Sequence, residues 1–292
     1  MLAGIEAGGT KMVCAVAEHP AHIRERIEIP TTSPEETFAH IQDFFSAQKA
    51  IRSVGIAAFG PVDIDKRSKT YGDVLNTPKP GWAGASWVNA MSAFTTPFAI
   101  ESDVSGACLA EYSYGAGRHK RTLAYVTVGT GIGAGIVHEG RVRTGTGHYE
   151  MGHIPVQRDA YDSYGGHCPF HADCLEGLAS GPAIEARWGA PLSRLGEGEV
   201  ALEATYLSQL ALTLILSHMP GRIIFGGGVM KTPGLIEAVR EQTADRLAGY
   251  VTRGDLSGDL SDYIVPPALG DDAGISGALL LAQQAARDAV DR

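Results

Sequence analysis

Twice in this sequence a short apolar run stops at a turn built from small residues and resumes at once as a second apolar run. The first copy is Leu2–Ile5, then Glu6-Ala7-Gly8-Gly9-Thr10-Lys11, then Met12–Ala17. The second is Thr122–Val128, then Gly129-Thr130-Gly131-Ile132-Gly133-Ala134-Gly135, then Ile136–Val137. A strand–turn–strand unit cannot bury both of its faces unaided, so each copy needs further strands and helices of its own. Two copies in separate halves of the chain predict duplicated lobes that face one another across a cleft.

The intervening segments supply those strands and helices. Arg24–Ile29 reads as a third strand, and Ser33-Pro34-Glu35-Glu36 is a capping box with proline at the first helical position, opening a helix to about Lys49. Val54–Phe59 reads as a buried strand ending at Gly60-Pro61, Phe98–Glu101 as a short strand and Ser105–Tyr114 as a helix. Asn76-Thr77-Pro78-Lys79-Pro80-Gly81-Trp82 cannot be regular structure and reads as a loop carrying one exposed aromatic. Tyr112–Gly117 breaks the pattern, and a lobe boundary is expected there. Beyond the second glycine turn, helices are expected near Leu175–Trp188, over Ala201–Ser217 and from about Pro233 to Leu247. A strand at Arg222–Phe225 stops at Gly226-Gly227-Gly228, and a last helix runs from Gly270-Asp271-Asp272 to the C-terminus. Alternating strands and helices in a chain of 292 residues place it in the α/β class. The expected division is a small lobe of residues 1–115, rejoined by a helix over 272–292, and a large lobe of residues 116–271.

Charge and cysteine usage remove several function classes. The net charge of −9 and the lack of a basic stripe argue against nucleic acid as a partner. Four cysteines are too few for a disulfide scaffold and fit a reducing compartment, with Cys14 and Cys108 in apolar, core-like surroundings. The N-terminus enters Leu2-Ala3-Gly4-Ile5 without a basic leader, and no uninterrupted apolar run reaches membrane-spanning length. A cytoplasmic protein with no membrane partner is expected.

The second glycine turn fits G-x-G-x-x-G/A over Gly129–Ala134, but a dinucleotide fingerprint must be followed by a helix, and here a strand and a turn follow. No G-x-x-x-x-G-K-[ST] occurs, so the P-loop is excluded as well. What remains is a pair of phosphate-gripping hairpins, in which small residues let backbone N–H groups approach phosphate oxygens and Thr10 and Thr130 donate hydroxyl hydrogen bonds. Tight turns with no ligand are the plainer alternative; the recurrence at matching strand ends favours phosphate. Gly226-Gly227-Gly228, at a further strand end, suits a flat surface for an adenine or ribose.

Between Glu150 and Glu176 the chain carries Glu150-Met151-Gly152-His153 and Cys168-Pro169-Phe170-His171-Ala172-Asp173-Cys174-Leu175-Glu176. Cys168, His171 and Cys174 at three-residue intervals, with one upstream histidine, form the donor inventory of a tetrahedral zinc site. Closed Cys₂His₂ coordination leaves no position for water, so such a metal is structural and would hold the flanking glutamates rigidly, as a small polar ligand requires. His153, His148 and His167 all compete for the fourth position, and two buried cysteines with surface histidines nearby is the alternative. Asp103, in Glu101-Ser102-Asp103-Val104-Ser105 where a strand meets a helix, fits either a helix-capping residue or a general base.

Together these motifs resemble the ROK family of sugar kinases and repressors over essentially the whole chain. The family's D-x-G-G-T appears with Glu6 in place of Asp, its E-x-G-H as Glu150–His153, and its C-x-C-G-x-x-G-C-x-E as the variant Cys168–Glu176. That variant, Glu6 and Thr77–Trp82 resemble the fructokinase branch. The resemblance implies an actin-like (ribonuclease H-like) ATPase fold with two lobes around a cleft, ATP and Mg²⁺ as cofactors, structural Zn²⁺ and a homodimer. It implies Asp103 as catalytic base and Glu150, His153, Glu176, Gly81 and Trp82 at the sugar. Gly8, Gly9, Thr10, Lys11, Thr130, Gly131, Gly133, Gly227 and Gly228 surround ATP, and His153, Cys168, His171 and Cys174 hold the metal. Ser102 and Ser105 stand where many relatives have asparagine, which bears on sugar choice. The implied reaction converts D-fructose to D-fructose 6-phosphate, with glucose, mannose or N-acetylmannosamine as rival acceptors. A sugar-sensing repressor is disfavoured because the first phosphate strand begins at Leu2, with no helix-turn-helix before it.

Overall fold

In the computed structural model, which describes residues 1–251 and 253–290, the first glycine turn is the tip of a hairpin between β1 (Leu2–Ala7) and β2 (Lys11–His19). The two strands pair antiparallel from Leu2↔Ala17 to Ala7↔Met12. β3 (His22–Pro30) continues the meander, and after α1 (Pro34–Ser46) the strand β4 (Ser53–Ala58) pairs parallel with β1. A short helix, α2 (Trp87–Met91), precedes β5 (Phe98–Ser102), which pairs parallel with β4 and leads directly into α3 (Asp103–Tyr114). The resulting sheet has the order β3-β2-β1-β4-β5.

This sheet belongs to a compact unit formed by Met1–Tyr114, Arg141–His148 and the segment from Asp271 onward. Strand side chains alternate between faces. On one face Ala3, Ile5 and Ala7 join Ile41, Phe44 and Phe45 of α1 in a shared core. On the other, Leu2, Val13, Ala15 and Ala17 meet Ile275, Ala278, Leu279 and Ala282 of the C-terminal helix α8 (Ala273–Val290). Residues 291–292 of the expected C-terminal helix lie outside the described residues. α1 starts as its capping box predicts: the Ser33 hydroxyl accepts the Glu36 N–H, and Pro34 occupies the first turn. Cys14 and Cys108 are buried, as expected of core residues.

The expectation for Trp82 was wrong. Its loop is irregular, but the indole is completely buried, edge-on to Phe38 (5.4 Å) and Phe59 (5.3 Å), with its N–H donated to the Thr32 carbonyl (2.8 Å). A side chain with no exposed surface cannot meet a sugar, so Trp82 anchors its loop instead. Neighbouring Gly81 remains exposed at φ +77°.

The second unit comprises Gly115–Gly140 and Tyr149–Gly270. β6 (Thr122–Val128) and β7 (Ile132–His138) form the second hairpin, and β7 passes through a turn into the two-residue β8 (Arg141–Val142). β7 begins at Ile132, so two of the four glycines read as loop are in fact ladder residues paired with β6, Gly133↔Thr127 and Gly135↔Tyr125. β9 (Ile223–Gly226) pairs parallel with β6, and the short β10 (Ile264–Val265) with β9. The helix expected near Leu175–Trp188 is two helices, α4 (Leu175–Ala179) and α5 (Gly181–Trp188). Ser180 separates them by capping Ala183 N–H at 3.4 Å, with Pro182 in the first turn of α5.

α6 (Glu197–His218) is long and apolar enough by composition to cross a bilayer. It nevertheless inserts Leu207, Leu210, Leu214 and Ile215 into the core of this unit, beneath β6 and α7 (Leu235–Leu247). One polar cluster escaped the sequence: the buried Arg187 guanidinium lies 3.2 Å from Asp162 and over the rings of Tyr164 (4.6 Å) and Trp188 (4.7 Å).

Trp82→Ala should cost about 3–5 kcal/mol of stability, the range for emptying a buried aromatic site. Urea denaturation measures it; an unchanged midpoint would contradict the anchoring role.

Candidate active site

His153, Cys168, His171 and Cys174 converge in the second unit, with one donor atom from each within 4.8 Å of the others. His153 Nδ1 lies 3.5 Å from Cys174 Sγ and 3.7 Å from Cys168 Sγ, and His171 Nδ1 lies 3.8 Å from Cys168 Sγ. Ligand bonds of ~2.0–2.3 Å in a tetrahedron separate donor atoms by about 3.3–3.8 Å, and these three separations suit a zinc-sized ion. The chain forms it locally. Cys168 and Ala172 exchange backbone hydrogen bonds (3.2 and 3.0 Å) in a tight turn that swings His171 back, and Cys174 sits at the N-terminus of α4. Burial pushes the Cys174 thiol up to about 11, so a bound cation would be needed to hold it as thiolate. The rival histidines lie elsewhere: His148 Nε2 accepts the Val62 N–H (3.1 Å) in the first unit, and His167 is exposed outside the quartet.

With Nδ1 of His153 turned toward the sulfurs, its Nε2 stands 3.9 Å from Glu176 Oε1. The other carboxylate oxygen of Glu176 accepts the Ile132 N–H at 2.8 Å. Ile132 opens β7 immediately after the second glycine turn, and a Cβ on Gly131 would stand 2.7 Å from the same oxygen. Glycine at 131 is therefore what lets the carboxylate reach the loop. Glu150 retains an exposed surface, yet the desolvation of its carboxyl by surrounding protein raises it despite nearby His153, with Glu176 adding to the rise.

The second glycine turn and the Gly226–Gly228 run are neighbours because β6 and β9 run parallel with Thr127 opposite Gly226. Gly227, at φ +95°, would place a Cβ 2.3 Å from the Val128 carbonyl, so only glycine fits against the end of β6. Thr130, Gly131, Gly133, Gly227 and Gly228 thus share one end of this sheet.

The first unit holds the other residues. Gly8 N–H donates to the Lys11 carbonyl (3.0 Å), closing the first turn, while the Lys11 ammonium pairs with Glu28 (2.8 Å). Glu6 lies on the α8 face of β1, against Gly274, with one oxygen buried and unpartnered. Its carboxyl is raised from 4.5 to about 7, chiefly by burial and then by the charge of Asp103. Asp103 is the first residue of α3, and its Oδ1 accepts the Val104 N–H (2.7 Å). The side chain that reaches the third amide of that helix is Ser102, whose Oγ accepts the Ser105 N–H (3.3 Å) and donates to Ser105 Oγ (2.8 Å). Ser102 and Ser105 are buried and bonded to one another. A cavity of about 590 Å³ opens elsewhere in the second unit, over Asp162, Tyr164, Arg187 and Trp188, away from all these residues.

Comparison with known proteins adds four findings. The ROK family model matches residues 2–285. A protein of Bacillus subtilis (strain 168) is 46% identical over 288 residues, covering 98% of this chain and 96% of its own. The fructokinase of Zymomonas mobilis subsp. mobilis (strain ATCC 31821 / ZM4 / CP4) is 42% identical over 289 residues, covering 95% of each. Among solved structures, the ROK hexokinase from Thermus thermophilus superposes with a TM-score of 0.76 at 25% identity, covering 98% of this chain and 99% of its own.

Two measurements check the site. Elemental analysis should find one zinc-sized ion per chain, absent from Cys174→Ser, with a lower Tm in that variant and in chelator-treated protein; a metal-free wild type with unchanged Tm would contradict the quartet's role. For Glu6, the unfolded chain releases its proton near pH 4.5 while the folded chain holds it to about pH 7, so stability falls as pH rises across that window. Burial also raises Glu101 to about 7, with the same sign. Glu6→Gln should therefore flatten the decline in unfolding free energy between pH 4.5 and 7, by on the order of 3 kcal/mol at most, and addition of Glu101→Gln should flatten it further. Equal slopes in wild type and variants would contradict the assignment.

Proposed function

The chain belongs to the ROK family, on the α/β actin-like ATPase fold, and from that premise we propose an ATP- and Mg²⁺-dependent kinase that phosphorylates the primary hydroxyl of D-fructose. One observation carries the kinase chemistry: Glu176, a carboxylate suited to a sugar hydroxyl, is hydrogen-bonded to the first ladder amide after a glycine turn suited to phosphate. Fructose as acceptor is supported by the full-length similarity to the Zymomonas mobilis fructokinase.

On this proposal Asp103 accepts the proton of the sugar hydroxyl as the oxygen attacks the γ-phosphorus. The bond from that phosphorus to the β–γ bridging oxygen breaks, and ADP leaves. A positioned base of this kind contributes about 10²–10⁴ in rate. Phosphoryl transfer otherwise depends on positioning and on donors aimed at the phosphate oxygens, here the backbone N–H groups and hydroxyls of Gly9–Thr10 and Thr130–Gly131, with Gly8 closing the first turn beside them. Bound Mg²⁺ would neutralise phosphate charge, and the orphaned Glu6 oxygen beside Asp103 fits a hard cation or its water shell. The Cys₂His₂ donor set fits Zn²⁺ in a closed, structural role, bracing His153 and Glu176 for the sugar. Glu150 supplies a further acceptor for sugar hydroxyls, and exposed Gly81 offers its backbone. Ser102 and Ser105, bonded to each other, act in capping α3, so discrimination among hexoses falls to the other contacts. A homodimer acting in the cytoplasm completes the proposal.

Asp103→Asn should keep the wild-type circular dichroism and bind a non-hydrolysable ATP analogue normally, yet lose at least 100-fold in kcat for fructose phosphorylation. Near wild-type turnover would remove Asp103 from the role of base.

A further inference from the structure

The loop Thr77–Trp82 lost its expected aromatic contact to sugar, since Trp82 is buried. The geometry points to another use for it: we infer that Lys79 is a phosphate-contacting residue, holding the first glycine turn and presenting its charge to the terminal phosphate of ATP. The inference rests on the kinase proposal above.

Three features fix Lys79. The Trp82 indole anchors one end of the loop through its N–H to the Thr32 carbonyl (2.8 Å). Pro78 and Pro80 flank the residue, and their rings restrict the backbone on both sides. Lys79 N–H donates to Thr77 Oγ1 (3.3 Å), and its carbonyl accepts the Trp82 N–H (3.3 Å). The loop therefore acts as a stiff bracket, and its ammonium reaches the Gly9 carbonyl at 2.5 Å and the Thr31 carbonyl at 3.4 Å. Thr31 pins the same turn from its other side, its hydroxyl donating to the Gly8 carbonyl (2.8 Å) and its N–H to the Thr10 carbonyl (3.0 Å).

The charge is the informative part. Lys11 and Arg26, the other cations near this turn, both carry carboxylate partners: Lys11 pairs with Glu28, and Arg26 with Glu28 and Asp272. Lys79, in contrast, forms no ion pair among the described residues and bonds only to carbonyls. An ammonium has three donors, so one N–H remains beyond the two carbonyl contacts. Glu6 and Asp103 make this unit locally acidic, and a polyphosphate arriving there needs a cation that no carboxylate has already neutralised. A Cβ at Gly9 would meet nothing within 4 Å, so the turn beside the ammonium is open to a ligand.

Calorimetric affinities of wild type, Lys79→Met and Lys79→Arg for a non-hydrolysable ATP analogue, ADP, AMP and fructose test the inference, with Tm as the folding control. Lys79→Met should bind the ATP analogue at least tenfold more weakly, ADP less affected, and AMP and fructose unchanged, whereas Lys79→Arg should recover most of the loss. Equal losses for the ATP analogue and ADP, or no loss, would overturn the phosphate contact while leaving the kinase proposal standing. Should Lys79→Met fail to fold, Lys79→Arg decides alone: its discrimination between the ATP analogue and AMP should stay within threefold of wild type, and a larger loss overturns the contact. A wild type that binds no ATP analogue overturns the kinase proposal and this inference together.

Discussion

One carboxylate joins the two chemical features of the second unit. Glu176 accepts the Ile132 amide with one oxygen and lies within 3.9 Å of His153 with the other, two residues beyond a cysteine of the Cys/His quartet. Each tie has a local cause. The quartet closes because Cys168–Ala172 is a tight turn and α4 begins at Leu175, so Glu176 emerges in the first turn of a helix whose start the donor set fixes. Gly131 admits the carboxylate because any side chain there would collide with it. The Cys/His quartet, the Glu176 carboxylate and the backbone that follows the second glycine turn are therefore one mechanical object.

The first unit relies on a different constraint, a carboxylate buried where the sheet meets its covering helix. Leu2, Gly4 and Glu6 share the face of β1 that packs on α8, and the polar member carries a pKa near 7 because burial disfavours its charge. Such a group is costly in a purely structural setting. Its position beside Asp103, with one oxygen lacking a partner, gives it a use in the proposed chemistry: a cation arriving with ATP would stabilise the ionised form. Ser102, not Asp103, reaches the third amide of α3, which on the proposal above leaves Asp103 to act as base.

Much of this was legible in the sequence where the cause is local. The Ser33 helix cap, the two glycine hairpins and the Cys/His spacing each depend on residues close together in the chain, and each appears at its predicted place. The choice of His153 over His148 was not legible, since it turns on which side of a unit boundary each histidine falls. Trp82 misled because proline, lysine and glycine around it signal exposure, while its burial is decided by Phe38 and Phe59, distant in sequence. The break between α4 and α5 was readable in Ser180-Gly181-Pro182, a cap followed by proline in the first turn, but the apolar run across it masked the signal. The second glycine run extends into strand because ladder pairing with β6 outweighs the weak intrinsic preference of glycine. Lys79 and the Arg187–Asp162 pair carry no sequence signature, because both are defined by partners remote in sequence.

The central claim, a hexose kinase that prefers fructose, is tested most directly by ADP release from purified protein with Mg-ATP against fructose, glucose, mannose and N-acetylmannosamine. The account predicts sugar-dependent turnover with the highest kcat/KM for fructose. Highest kcat/KM for another hexose would contradict the assignment of substrate while keeping the chemistry, and no sugar-dependent ADP release from any of the four would contradict the account itself.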